Sequence, residues 1–311
     1  MTVQKFHFIS GLPRSGSTLL AALLRQNPRF HAAMSSALAP LISANLDIMS
    51  SGHEVSLLMA PEQRPEILRS VAATFCRTTS DREVFFDTNR SWCAKMPLIA
   101  DLFPGAKVIA CVRDVPWVLD SLERLFRRDP YENTRLFGND GERATVYSRM
   151  ESLARHNRLV GYPWTALKEA FYGEQAADLL LVDYELLAKA PEKTLRLVYQ
   201  FIDEPWHDGH DFENVEYDAP KFDEALGIAG LHRVRPRVSF EERKTILPPD
   251  LFHKFENMDF WKDTSGSAAS VITAKSTGKN SGKNAGKNAG KNIGINPGDL
   301  ASRLAGNRPQ V

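Results

Sequence analysis

Cysteine is scarce: Cys76, Cys93 and Cys111 are the only three, irregularly spaced and without a CxxC pair. That excludes a disulfide framework and a cysteine zinc site of ordinary spacing, and it fits a reducing compartment. Long apolar runs are missing too. No run of about 18 apolar residues occurs, so no transmembrane helix is expected. The opening Met-Thr-Val-Gln-Lys passes into an apolar stretch too short for a secretory leader. A soluble, unsecreted, cytoplasmic protein is the expectation. Charge of one sign is also lacking. With 39 Lys and Arg against 38 Asp and Glu, the net charge is +1, and bulk electrostatics give no case for nucleic acid or a membrane surface as partner.

What is present suits a globular α/β chain: 311 residues, 43% hydrophobic and 25% charged. Charge is distributed unevenly. From Thr264 onward seven cations, five of them lysines, face only Asp299, which leaves residues 1–263 acidic on balance. Gly-Lys-Asn recurs at Gly278, Gly282, Gly286 and Gly290. Apolar residues are too sparse there to repay the entropy of ordering, so 264–311 is expected to be a disordered basic tail. Evenly spaced lysines would also suit a weak tether for anionic polymers.

Within 1–263 the pattern alternates. Phe6–Ile9, Val84–Asp87, Lys107–Arg113 and Leu179–Val182 read as short strands. Thr18–Leu24, a segment from Pro116 to about Arg127, and Thr194–Phe201 read as helices. Strands alternating with helices predict a parallel sheet flanked by helices, a P-loop-type α/β fold in one domain.

Between the first strand and first helix lies Gly11-Leu12-Pro13-Arg14-Ser15-Gly16-Ser17-Thr18. Its glycine spacing matches the phosphate loop G-x-x-x-x-G-K-[ST], in the strand-to-helix context that motif requires. Glycines let successive N–H groups curl toward an anion, and the helix dipole adds to the attraction. The lysine position, however, is Ser17. Without that lysine the case for a triphosphate–magnesium site is weak, and no metal is called for. A cradle for one phosphate remains, from Gly11, Pro13, Arg14, Ser15, Gly16, Ser17 and Thr18. A second basic residue, Arg113, ends the Val108–Val112 strand, and Ser121 follows on the next helix. Ligands collect at strand carboxyl ends in such sheets, so this pair could clamp a second phosphate.

The loop Gly-Leu-Pro-Arg-Ser-Gly-Ser-Thr-Leu-Leu resembles the 5′-phosphosulfate loop of sulfotransferases that use 3′-phosphoadenosine 5′-phosphosulfate (PAPS), particularly the tyrosylprotein and related bacterial branch. Val-Ile-Ala-Cys-Val-Arg113 with Ser121 is similar to that family's 3′-phosphate element, and Asp183-Tyr184-Glu185-Leu186-Leu187 resembles its downstream tyrosine–glutamate stretch. The resemblance implies a sulfotransferase domain over 1–263 that moves a sulfuryl group from PAPS to a hydroxyl acceptor: a protein tyrosine, a glycan or a small molecule. It implies that Arg14 to Thr18 hold the phosphosulfate end, that Arg113 and Ser121 hold the 3′-phosphate, and that Tyr184 lies near the adenine. Within His232-Arg233-Val234-Arg235-Pro236, Arg235 is the choice for a late cofactor contact. Lys95, in Lys95-Met96-Pro97, matches the family's Lys-x-Pro segment and would act on the leaving oxygen or the sulfuryl oxygens.

The general base is the departure. The glutamate of tyrosylprotein enzymes falls on Ser35, and the histidine of cytosolic small-molecule enzymes falls on Lys95. Asp87, at the end of its strand, is the leading substitute, with His31 behind it. Two rivals stay open: a PAPS- or PAP-binding protein without turnover, and a kinase-like phosphotransferase built on the same loop.

Overall fold

The computed structural model describes residues 5–129, 131, 134, 136–275 and 292–297. Seven strands form one sheet: β1 Lys5–Gly11, β2 Phe30–Ala32, β3 Val84–Thr88, β4 Val108–Val112, β5 Leu179–Asp183, β6 Ser270–Lys275 and β7 Asn292–Pro297. Their order is β2-β3-β1-β4-β5-β6-β7. The first six are parallel, and β7 runs antiparallel to β6. The connecting helices are α1 Ser17–Leu24, α2 Leu38–Ile48, α3 Gln63–Thr79, α4 Met96–Leu102, α5 Val115–Phe126 and α6 Asp140–Arg143. After these come α7 Val146–Ala154, α8 Gly161–Tyr172, α9 Tyr184–Lys189, α10 Pro191–Phe201, α11 Pro220–Ala225 and α12 Pro249–Lys254.

Alternation within each strand builds two cores. From β1, Phe8 enters a core with Trp92, Val118 and Leu122, with Leu167 and Phe171 of α8 completing that side. Ile9 enters the other, with Leu20, Leu23 and Leu24 of α1 and with Leu195 and Val198 of α10. A strand covered on both faces has no polar side, which is why β4 reads Val-Ile-Ala-Cys-Val and is buried throughout.

β1, β3, β4, β5, α1, α5 and α10 lie where the sequence pattern puts them, to within a few residues. The three-residue β2 was not foreseen, nor was β6. β6 begins within the stretch read as tail, yet Ala269, Val271 and Ile272 are buried and Leu180, Leu181 and Val182 of β5 pair with Ser270, Val271 and Ile272. The folded body therefore continues past 263. The apolar run is short and sits among Ser, Gly and Thr, so composition hid it. The Gly-Lys-Asn repeats at 278–290 fall outside the described residues.

Candidate active site

The centre of the sheet sets the site. The chain leaves β1 toward β2 and β3 on one side, and β4 lies on the other. The crevice at the carboxyl ends of β1 and β4 is thus the topological switch point, where such sheets bind ligands. β1 and β4 approach closely there: a Cβ on Gly11 would fall 2.2 Å from the Cys111 carbonyl oxygen, so only glycine fits. Leu12 N–H then donates to that same carbonyl at 2.9 Å. Gly11, Arg14 and Gly16 all take left-handed φ values of 105°, 58° and 91°, which curls residues 11–16 into a concave turn. The first bond into α1 runs from Leu20 N–H to Gly16 O. Among the described residues, the N–H groups of Arg14 to Leu19 donate to no backbone carbonyl, and the hydroxyls of Ser17 and Thr18 have no protein partner. Ser15 is buried and its hydroxyl donates to Pro13 O at 3.3 Å. Six unspent donors at a helix N-terminus form an anion cradle.

The two basic anchors meet beside it. Arg14 Nε donates to Ser121 Oγ at 3.2 Å, and its Nη1 donates to the Leu231 carbonyl. The Arg113 guanidinium lies 4.5 Å from the centre of the Tyr184 ring. That ring also faces the loop: a Cβ on Gly16 would come within 2.9 Å of Tyr184 Cδ2. The structure thus brings Arg14, Gly16, Arg113, Ser121 and Tyr184 together across the crevice. Burial, then the charge of Arg113, pushes the Arg14 pKa down to about 10. Burial likewise lowers that of Arg113. Among the described residues neither guanidinium has a carboxylate ion-pair partner, and Arg113 Nε is buried with no hydrogen-bond partner at all. Desolvated cations without counter-ions are costly unless an anion completes them. The residues therefore fit a ligand carrying two separated anionic groups.

A strap from α11 to residue 247 covers this side. Asp120, fully buried on α5, accepts from Arg124 at 2.9 Å, Arg243 at 2.8 Å, Thr245 Oγ1 at 3.1 Å and Ile246 N–H at 2.8 Å. Asp223 is also fully buried and binds His232 through its ring at 2.5 Å and its N–H at 2.9 Å. Arg235 points outward instead, 71% exposed and paired with Glu241 at 2.5 Å. Arg243, not foreseen, turns inward, and its charge adds to the lowering of the pKa at both Arg14 and Arg113. Its only sequence signal was the adjacency of Asp120, its partner, to Ser121.

On the β3 side the arrangement differs. Asp87 is completely buried; Ser36 Oγ donates to one of its oxygens and Trp92 Nε1 to the other at 2.7 Å. Burial raises its pKa to about 6, against the lowering effect of those two bonds. Direct contact between Asp87 and an acceptor is therefore closed, and Ser36 stands between the carboxylate and half-open space. Lys95 caps α4, half-buried, with no hydrogen bond or ion pair among the described residues. His31 pairs in register with Phe85 and stacks on its ring at 4.4 Å, short of the strand ends that carry the loop. No helix among the described residues is long and apolar enough to cross a membrane.

The zebrafish (Danio rerio) protein-tyrosine sulfotransferase 1 is 29% identical over 209 residues, which cover 65% of this chain and 54% of that protein. The Drosophila melanogaster protein-tyrosine sulfotransferase is 25% identical over 223 residues, covering 65% and 38%. The chain spans about half the length of the curated relatives it matches, or less. Among solved structures, the sulfotransferase domain of the Synechococcus PCC 7002 olefin synthase aligns with a TM-score of 0.45 at 21% identity, over 82% of this chain and 88% of that one. A mouse sulfotransferase complexed with PAP aligns with a TM-score of 0.46 at 14% identity, over 84% and 85%. The family model described as "Sulfotransferase family" matches residues 7–208, well over half the chain, and the chain belongs to the sulfotransferase family.

Proposed function

We propose that the chain transfers a sulfuryl group from PAPS to a hydroxyl acceptor and releases PAP. The observation that carries this reading is the pair of desolvated guanidiniums, Arg14 and Arg113, flanking the crevice with Arg113 Nε unpartnered. Two anionic ends of one nucleotide, a 5′-phosphosulfate and a 3′-phosphate, match the N–H cradle of the loop and the cationic anchors Arg113 and Arg14 at Ser121, with the Tyr184 ring against both Gly16 and Arg113. The cradle of N–H groups and the hydroxyls of Ser17 and Thr18 would hold the 5′ end. Arg113, Ser121 and the inward Arg243 would hold the 3′-phosphate, and Tyr184 would flank the adenosine.

In the transfer, the bond from sulfur to the 5′-phosphate oxygen breaks and a bond from sulfur to the acceptor oxygen forms. PAP leaves with the bridging oxygen, and the acceptor loses its proton. Fixed cations and N–H donors would stabilise charge on the departing oxygen without reorganisation, and Lys95, with no hydrogen bond or ion pair among the described residues, would supply the donor on the β3 side. The acceptor proton passes to Ser36 Oγ as Ser36 passes its own to Asp87, whose pKa of about 6 suits a base near neutral pH. Kinase-like chemistry is disfavoured by Ser17 in the lysine position.

Incubation with PAPS labelled in sulfur, and mass analysis of a broad hydroxyl-acceptor panel, tests the reading. A product heavier by one sulfuryl group, formed together with PAP, supports it. Tight PAP binding with no product across the panel would leave a donor-binding protein instead.

A further inference from the structure

The donor grip occupies the β1–β4 side of the loop, and the β1–β3 side opens into a second space. An open pocket of about 300 Å³ is lined by Asn89, Arg90, Tyr162 and Pro163, with Asn157 and Arg158 at its far wall. Its near wall is fastened to the base of the phosphate loop. Asn89 N–H donates to Ile9 O at 3.0 Å, and Ser10 Oγ, one residue before Gly11, donates to the Arg90 carbonyl at 3.2 Å. The connection from β3 that carries Arg90 also carries Lys95. In the strand order this pocket lies on the β3 flank of β1, and Arg113 lies at the end of β4 on the other flank.

The two arginines there differ in their commitments. Arg158 binds the Glu142 carboxylate and the Leu136 carbonyl, so its charge is already matched. The Arg90 side chain has neither ion pair nor hydrogen bond among the described residues and keeps surface open to the cavity. Its surroundings nonetheless desolvate it and lower its pKa. Asn89 spends its carbonyl on Ser91, at 3.0 Å to the N–H and 2.8 Å to the hydroxyl, which leaves its amide N–H₂ to donate. Tyr162 offers an aromatic wall. A free cation, free amide donors and a ring around about 300 Å³ describe a receptor for a ring-sized molecule bearing an anion.

We propose that this cavity is the acceptor site and that its acceptor is a small hydroxy acid, the carboxylate pairing with Arg90 while the hydroxyl points toward the phosphate loop. The inference rests on the transferase reading and adds the substrate class. A panel of ring-sized hydroxy acids, each paired with its uncharged primary amide, tests it; 4-hydroxyphenylacetate with 4-hydroxyphenylacetamide is the first pair. Wild type, R90Q and R90K are compared by kcat/KM on each pair, and PAP affinity is measured by calorimetry on all three. Wild type should favour the acid over its amide by about tenfold or more, since a charge-assisted hydrogen bond is lost in the amide. R90Q should bring that ratio close to one, R90K should restore part of it, and PAP affinity should be the same in all three. A wild-type ratio near one, a ratio unchanged in R90Q, no transfer to any acid in the panel, or transfer only to tyrosine in an acidic peptide would each overturn the assignment. Failure of PAP to bind wild type sinks the transferase reading itself, which separates the two outcomes.

Discussion

The two sides of the phosphate loop are built on opposite electrostatic plans. Toward β4, Arg14 and Arg113 are desolvated with no carboxylate ion-pair partner among the described residues, while the more exposed Arg243 pairs with Asp120, itself spread over four donors. Toward β3, a carboxylate is buried without a cation among the described residues: Asp87 is held by a hydroxyl and an indole N–H. The first plan stores a demand for anions in a rigid frame and suits binding. The second holds a carboxyl poised to take a proton and suits chemistry. Placing the two across one loop sets an anion-seeking crevice beside a group whose charge can change.

The largest effect should come from the frame that supports the cationic side. β4 leans on β5 and β5 on β6, so truncation at residue 264 strips an interior strand and exposes the edge of β5. Val271 and Ile272 are buried, and at about 1.5–3 kcal/mol each their loss removes about 3–6 kcal/mol. The melting temperature should fall by on the order of 10 °C. An unchanged melting temperature would return 264–311 to the status of a tail and detach β6 from the fold.

Next in size is the test of the β3 plan. D87N should lower kcat by about 100-fold or more, the usual reach of a general base, with PAP affinity kept. Wild-type kcat should climb with pH through about 6 as Asp87 ionises, and D87N should lose that limb. Stability should move the opposite way. A carboxyl whose folded pKa is raised from 3.8 to about 6 contributes its full stabilisation below the unfolded value and loses it as pH rises through about 6. Asp183, raised to about 6 by burial as well, acts with the same sign, so the difference between wild type and D87N in denaturant melts isolates Asp87. A kcat profile identical in the two proteins would remove Asp87 from the reaction.

R14A and R113A come third. Each loses charge-assisted bonds worth about 1.5–3 kcal/mol, so calorimetric PAP affinity should drop about tenfold or more in each. Full affinity in either variant would break the description of the β4 side as a two-point clamp.

How much of this could be read from the chain depends on whether a feature is local. The loop, β1, β4 and β5 follow from short patterns: an apolar strand, glycines at fixed offsets, and a helix start. Arg14, Arg113 and Tyr184 were legible because each lies within a residue or two of a strand or loop end. Ser36 was not, since its role exists only through Asp87, which lies 51 residues further along the chain. Arg90 carries no local signal either, since Tyr162 and Pro163, which wall its pocket, lie far along the chain. β6 was lost because three buried apolar residues among serines and glycines look like linker until β5 is beside them.

The smallest expected effect concerns a choice that only tertiary structure could make. Both Arg235 and Arg243 lie in the strap, and the basic run around His232 favoured the first. The first, however, is 71% exposed and engages Glu241, itself 65% exposed, while the second reaches fully buried Asp120. An exposed pair contributes about 0–1 kcal/mol, so R235A should keep PAP affinity within about threefold of wild type. R243A should cost on the order of tenfold, because it removes a cation whose field reaches both anchors and frees part of Asp120 to oppose the bound anion. Calorimetry on the two variants at matched ionic strength decides between them. If R235A proved the weaker binder, the strap would have to carry its cations toward the nucleotide in a different register, and the contrast between the two sides of the loop would lose its third arginine.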